Sequence, residues 1–183
     1  MELYIIRHGI TDWNRKRIMQ GRTDIPLNDE GRRMALEAAE EYADIHFDVC
    51  YTSPLVRAEE TAEIIMKGRN VPVIKDERLI EMNFGEYEGT GIDEHPYDSP
   101  IRMFFRCPEK FSPDRNAESF EELNKRTGDF LKKTVFSREN ENNSILIVGH
   151  GAMNCSIISQ IKNLPPEEFW SYGIQNCKLI KLI

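Results

Sequence analysis

The chain has 183 residues, 40% hydrophobic and 30% charged, a make-up that fits one soluble globular domain with its own core and excludes a disordered segment. Its formal net charge of −7 excludes a broad basic face for nucleic acid or an anionic membrane, yet leaves room for a local basic pocket. The four cysteines, Cys50, Cys107, Cys155 and Cys177, show neither a C-x-x-C pair nor zinc-ligand spacing, which predicts reduced thiols, a cytoplasmic protein and no bound metal. The apolar start, Met1 to Ile6, is too short for a signal peptide or a membrane span, and no other window reaches spanning length.

In chain order, Leu3–Ile6 reads as a buried strand stopped by Arg7-His8-Gly9. Asn28 is a helix cap, and Met34, Ala35, Ala38, Ala39 and Tyr42 follow at helical spacing. Asp48–Thr52 is the next strand. Ser53-Pro54 predicts a helix start, Ser53 as cap and Pro54 in the first turn, with Leu55, Ala58, Ala62 and Ile65 on one face. Val71–Ile74 is a short strand. Segment 90–116 breaks the rhythm with four prolines and Met103-Phe104-Phe105, and reads as a lid-like insertion or an irregular loop pinned by aromatics. Phe120–Val135 is a helix. Ser144–Val148 is an unbroken apolar strand ended by Gly149-His150-Gly151, with a helix after it, and Cys177–Ile183 alternates as an edge strand. Strands alternating with helices predict an α/β fold: a three-layer α/β/α sandwich on a mostly parallel sheet with an antiparallel edge strand, in a single domain over 1–183.

Three features fall at strand ends: Arg7-His8-Gly9, Ser53 to Arg57, and Gly149-His150-Gly151. In open parallel sheets ligands bind beyond the carboxyl ends of the strands, so these features converge on one crevice. Two guanidiniums, Arg7 and Arg57, suit bidentate phosphate binding. The helix starts near Pro54 and Gly151 promise free N–H groups, and Gly9 and Gly151 promise close backbone approach to a ligand. Of His8 and His150, one is expected neutral and nucleophilic and the other cationic. Such a cage suits phosphoryl transfer without a metal.

The ordered motifs resemble the histidine phosphatase superfamily in its phosphoglycerate-mutase-like branch. They are Arg7-His8-Gly9 with Thr11 and Asn14; Gln20-Gly21, then Leu27-Asn28 and Gly31; Thr52 to Leu55 with Arg57-Ala58 and Thr61-Ala62; Leu79 and Glu81, then Phe84-Gly85-Glu86 and Glu88-Gly89; Glu118-Ser119; and Val148 to Gly151. The resemblance spans about 3–176. It implies that His8 is the phosphorylated nucleophile, that Arg7, Arg57 and His150 form the phosphate pocket assisted by Asn14 and the backbone at Gly151, and that Glu81 is the proton donor. It implies no cofactor and a small phosphorylated metabolite as the molecular partner.

Where that branch carries Gly-Gly-Glu-Ser, this chain reads Asn116-Ala117-Glu118-Ser119, which puts a glycine-dependent turn in question. Mutases resembling this core carry an arginine-rich insertion; here segment 90–116 holds only scattered Arg102, Arg106, Lys110 and Arg115. The expected activity is therefore a metal-independent phosphomonoesterase working through a phosphohistidine. A phosphoglycerate mutase is the alternative, followed by a non-catalytic phospholigand or protein-binding module. Met103, Phe104 and Phe105 either line the leaving-group side of the pocket or only fasten the segment to the domain, and Arg102 and Arg106 either bind a second anionic group or are solvated charges; the structural reading is preferred for both, and oligomeric state is not legible.

Overall fold

Every residue of the apolar runs at 3–6 and 145–148 is buried, because these strands lie inside a sheet covered on both faces. The computed structural model describes residues 1–183 except the side chain of Arg138. The strands are β1 (Glu2–Arg7), β2 (Val49–Thr52), β3 (Val73–Lys75), β4 (Ser144–Gly149) and β5 (Leu179–Lys181). The principal helices are α1 (Asp12–Arg15), α2 (Asp29–Glu41), α3 (Val56–Met66), α4 (Pro100–Arg106), α5 (Phe120–Phe130) and α6 (Gly151–Lys162). The sheet order is β3-β2-β4-β1-β5. The first four strands run parallel and β5 pairs antiparallel with β1.

Alternation sorts the core into two halves. Leu3, Ile5, Ile145 and Ile147 face Leu123, Phe130, Ile157 and Ile158 of α5 and α6. Tyr4, Ile6, Leu146 and Val148 face Ala35, Ala38, Ala58, Ala62 and Ile65 of α2 and α3. The fold is thus the expected three-layer α/β/α sandwich. Register aligns the strand ends: Arg7 lies opposite Gly149, and Thr52 opposite Val148. The chain leaves the sheet at three adjacent strand ends, and His8, Ser53 and His150 are the first residues out.

Several boundaries differ from expectation. Helix α3 starts at Val56 with Leu55 as cap residue; Asp24, remote in sequence, takes the Val56 N–H at 2.8 Å, and Ser53 is left for another task. Strand β3 begins two residues later and ends one residue later than predicted, and is a half-exposed edge. The helix from Phe120 changes at Leu131 to a π-helical turn through Val135. Segment 90–116 folds as α4 between two 3₁₀ turns, Ile92–Glu94 and Pro108–Lys110. Phe104 anchors it, fully buried among Phe84, Phe111, Phe120, Phe169 and Trp170. All four cysteines are free thiols, and burial pushes Cys50 and Cys177 up to about 12.

Candidate active site

The strand ends and the loops beside them enclose a cavity of about 220 Å³. Arg7, His8, Asn14, Arg57, Glu81 and Gly151 all line it. Six of the seven residues predicted from sequence therefore meet in one place. The seventh, His150, sits directly behind, its ring centroid 5.1 Å from that of His8.

His8 is 2% exposed. Its Nδ1 lies 2.6 Å from the Gly9 carbonyl oxygen. A carbonyl only accepts, so Nδ1 carries the proton and Nε2 keeps its lone pair. Burial, with Arg57 and Arg7 nearby, holds the imidazole well below its usual pKa of 6.5, in the neutral form. The backbone around it is fastened: the Gly9 N–H donates to Thr61 Oγ1 on α3 at 3.1 Å, and Asn176 Nδ2 donates to the His8 carbonyl at 2.7 Å.

Gly9 serves a different purpose from the one expected. A Cβ there would lie 2.4 Å from the Gly31 carbonyl oxygen, and one on Gly31 would lie 2.1 Å from the Ile10 oxygen. The two glycines let the loop after β1 interlock with the start of α2, rather than admit a ligand. Gly151 does face the cavity; its Cβ position is 3.6 Å from Glu81 Oε2 and 3.7 Å from the Arg7 guanidinium carbon.

Arg57 is 1% exposed. It donates from Nη1 to the Thr23 carbonyl at 2.9 Å and from Nη2 to the Gly21 carbonyl at 2.7 Å, so its fork is held by loop 21–23. Burial lowers its pKa to about 10, which leaves it a cation at neutral pH. That loop is itself tied to Glu88, whose carboxylate accepts from the N–H groups of Arg22, Thr23 and Phe84. Arg7 donates to the Ile174 carbonyl at 3.2 Å. Asn14 spends its carbonyl on the Thr11 N–H at 3.0 Å, and Gln20 spends its own on the Thr11 hydroxyl at 2.8 Å. Both amide NH₂ groups are free of these bonds at the cavity wall.

Two expectations need correction. The helix starts do not offer a row of free N–H groups. On α6, Glu81 takes Ala152 at 3.2 Å and Met153 at 2.9 Å, and on α3 Asp24 takes Val56. A carboxylate at a helix start is itself favourable, and here it fixes Glu81 beside the cavity. Nor is His150 the cationic partner of His8. It is fully buried, and burial together with Arg57 holds it well below 6.5. Its Nε2 pairs with Ser53 Oγ at 2.7 Å, while Nδ1 has no partner among the described residues. Arg7 Nε and Arg57 Nε are likewise buried without a protein acceptor.

Gln20, Ser53, Glu118 and Arg126 were not predicted as site residues. Arg126 donates to the Glu81 carbonyl at 3.1 Å and to both oxygens of Glu118, at 2.7 and 3.0 Å; Glu118 also accepts from the Asn83 N–H. Gln20, Ser53 and Glu118 lie within the motifs that carry the family resemblance, and that membership is the signal that could have found them. Arg126, on α5, gave none. The turn before Glu118 forms without glycine: Arg115 and Asn116 take φ of 49° and 62°, a region asparagine tolerates better than most residues. Phe105, expected to be structural, faces the cavity. Arg102 and Arg106 pair within their own segment, with Asp93 and with the Tyr97 ring.

The histidine phosphatase superfamily (branch 1) matches this chain over residues 3–183. A protein of Bacillus subtilis (strain 168) named "Uncharacterized phosphatase PhoE" is 37% identical over 163 residues, covering 89% of this chain and 78% of its own. The solved structure of Bacillus stearothermophilus YhfR superposes with a TM-score of 0.89 at 32% identity, over 98% of this chain and 89% of that one. The phosphoserine phosphatase of Entamoeba histolytica, solved in complex with 3-phosphoglyceric acid, gives 0.85 at 30% identity over 98% and 89%.

Proposed function

The chain belongs to the histidine phosphatase superfamily, branch 1, and from that premise we propose that it hydrolyses a small phosphate monoester, without a metal, through a phosphohistidine on His8. The observation that carries this reading is the state of His8. One nitrogen is tied to a carbonyl at 2.6 Å, which leaves a neutral imidazole with a lone pair beside the buried Arg57 and the half-buried Arg7.

In the first step the His8 Nε2 lone pair attacks phosphorus in line with the ester oxygen. The N–P bond forms as the P–O bond breaks. Arg7, Arg57, the Asn14 amide and the Gly151 N–H carry the charge on the phosphoryl oxygens. His150, with its Nδ1 unpartnered, closes the floor of the pocket next to the transferring group. Glu81, in its acid form, gives its proton to the leaving alkoxide. In the second step the Glu81 carboxylate takes a proton from water, which attacks phosphorus; the N–P bond breaks and free His8 and inorganic phosphate result. Residues 1–183 act as one domain, and segment 90–116 caps the side of the cavity where the alcohol leaves. The four free thiols support a reducing, cytoplasmic compartment; among the described residues no helix is long and apolar enough to cross a membrane.

Hydrolysis is favoured over transfer to a second hydroxyl because Arg102 and Arg106 are occupied within their own segment. Incubation with 3-phosphoglycerate and a bisphosphoglycerate primer tests this: free phosphate is the expected product, and isomerisation would make the chain a mutase. The phosphohistidine is tested by acid-labile, base-stable labelling of the protein from a ³²P-ester, expected in the natural sequence and absent in His8→Ala. Excess EDTA is expected to leave the rate unchanged.

A further inference from the structure

The half of the cavity away from the phosphate cage has its own chemistry. Ile18 and Ile92 sit on a two-segment strap: Ile18 bridges Gly91, and the Ile92 N–H donates to the Arg17 carbonyl at 3.2 Å. Both line the cavity, as do Phe84, Phe105 and Trp170. Phe105 and Trp170 stack, with centroids 5.4 Å apart and 26° between planes. Trp170 donates its indole N–H to the Phe104 carbonyl at 2.9 Å, so it presents only ring surface. Arg17, at the rim of this side, already pairs with Asp93 at 3.4 Å, and the neighbouring Arg102 pairs with the same carboxylate at 3.5 Å. Apart from the Gln20 amide, the hydroxyl groups of a sugar or polyol placed here would find few partners, and polar groups buried without partners are disfavoured. A flat apolar group would cover the two isoleucines and the aromatic pair.

We propose that the substrates are monoesters whose alcohol carries a small flat apolar or aromatic group, and that Phe105 and Trp170 set this preference. The inference rests on the phosphomonoesterase reading above. The volume of about 220 Å³ lies below the roughly 300 Å³ at which drug-sized sites begin, so a single ring fills its apolar half.

Phosphate release from benzyl, ethyl and glycerol 3-phosphates separates the possibilities. All three are alkyl esters with poor leaving groups, so differences report recognition rather than leaving-group acidity. Benzyl phosphate is expected to exceed glycerol 3-phosphate by about ten-fold or more in kcat/KM, mainly through KM. Phe105→Ala and Trp170→Ala are each expected to lower the benzyl ester about five- to ten-fold more than the ethyl ester, and Trp170→Phe to retain the preference. Trp170 is partly structural; the half-exposed Phe105 and the natural enzyme's own panel keep the test decisive if Trp170→Ala misfolds. Equal or better turnover of glycerol 3-phosphate, or losses in equal proportion for both esters, would overturn the inference while leaving the phosphomonoesterase reading intact. Absence of hydrolysis of every ester, p-nitrophenyl phosphate included, would remove that reading and this inference together.

Discussion

The two walls of the cavity are made from different materials. The phosphate wall is backbone-anchored: His8 is tied to Gly9, Arg57 to Gly21 and Thr23, and Glu81 to Ala152 and Met153. Every one of these contacts starts or ends on main chain that leaves a strand, enters a helix or is itself pinned by a carboxylate. The leaving-group wall is side-chain packing, an aromatic cluster around Phe104 with Phe105 and Trp170 at its face. A backbone-anchored charge cannot be moved without moving an element of the fold, whereas a ring in a cluster can be exchanged for another ring. On the proposed mechanism the chemistry is thus assigned to the strand ends, and the proposed choice of substrate to a segment laid over them.

The sharpest way to break that division is His8→Ala, which is expected to lower turnover by at least about 10⁴-fold on every ester, measured by phosphate release. Near-normal rates would remove the nucleophile. Glu81→Gln is the next largest. It keeps the size but sets an NH₂ against an N–H donor of α6 and cannot act as an acid. Alkyl phosphates should slow by about 10²–10⁴-fold and p-nitrophenyl phosphate far less, because its leaving group needs little protonation. Equal losses would mean that Glu81 serves only to hold α6.

On the other wall, Phe104→Ala removes a fully buried ring at the centre of the cluster. It is expected to cost about 3–5 kcal/mol of stability, read from urea unfolding. The surviving folded fraction should hydrolyse ethyl phosphate with a kcat much closer to the natural one than its KM for benzyl phosphate. A loss of kcat on all esters would show that the two walls are not separable.

Acid separates them differently. His8 and His150 are both held below 6.5 in the folded protein, whereas the unfolded chain binds their protons near 6.5. Below that pH the unfolded state therefore takes up more protons, and stability falls with decreasing pH until the folded-state values are reached. Above about 6.5 this contribution is complete and flat. Two such groups give a slope of up to about 2.7 kcal/mol per pH unit, measurable as urea midpoints from about pH 7.5 to 5. His8→Ala should reduce the slope by about half, and an unchanged slope would place the acid sensitivity elsewhere. The acid limb of kcat/KM, which reports the free enzyme, is expected below about 6.5 for the same reason. The smallest expected effect is that of Asn116→Gly: it relieves a non-glycine residue at φ 62° and is expected to change stability by under about 1 kcal/mol. A large loss would mean that the asparagine side chain, whose Nδ2 donates to Glu86 Oε1 at 3.3 Å, holds the turn.

The sequence by itself determined the sheet, the strand ends and the cage. Apolar runs of four residues stopped by Arg-His-Gly and Gly-His-Gly are local signals, and parallel strands deliver the residues after them to one edge, so His8, His150, Arg7 and Arg57 were legible. Roles within the cage were legible only through the ordered motifs of a family. Only the tertiary structure decided what binds the helix starts, since Asp24 and Glu81 reach α3 and α6 from 32 and 71 residues away. It also decided that both histidines are neutral, because the desolvation of a ring depends on everything packed around it. Phe104 and Phe105 are neighbours of the same type, yet one is the centre of a core cluster and the other a wall of the cavity. No local pattern separates them, because which way a ring points is set by the distant Trp170 and Phe120 against which it packs.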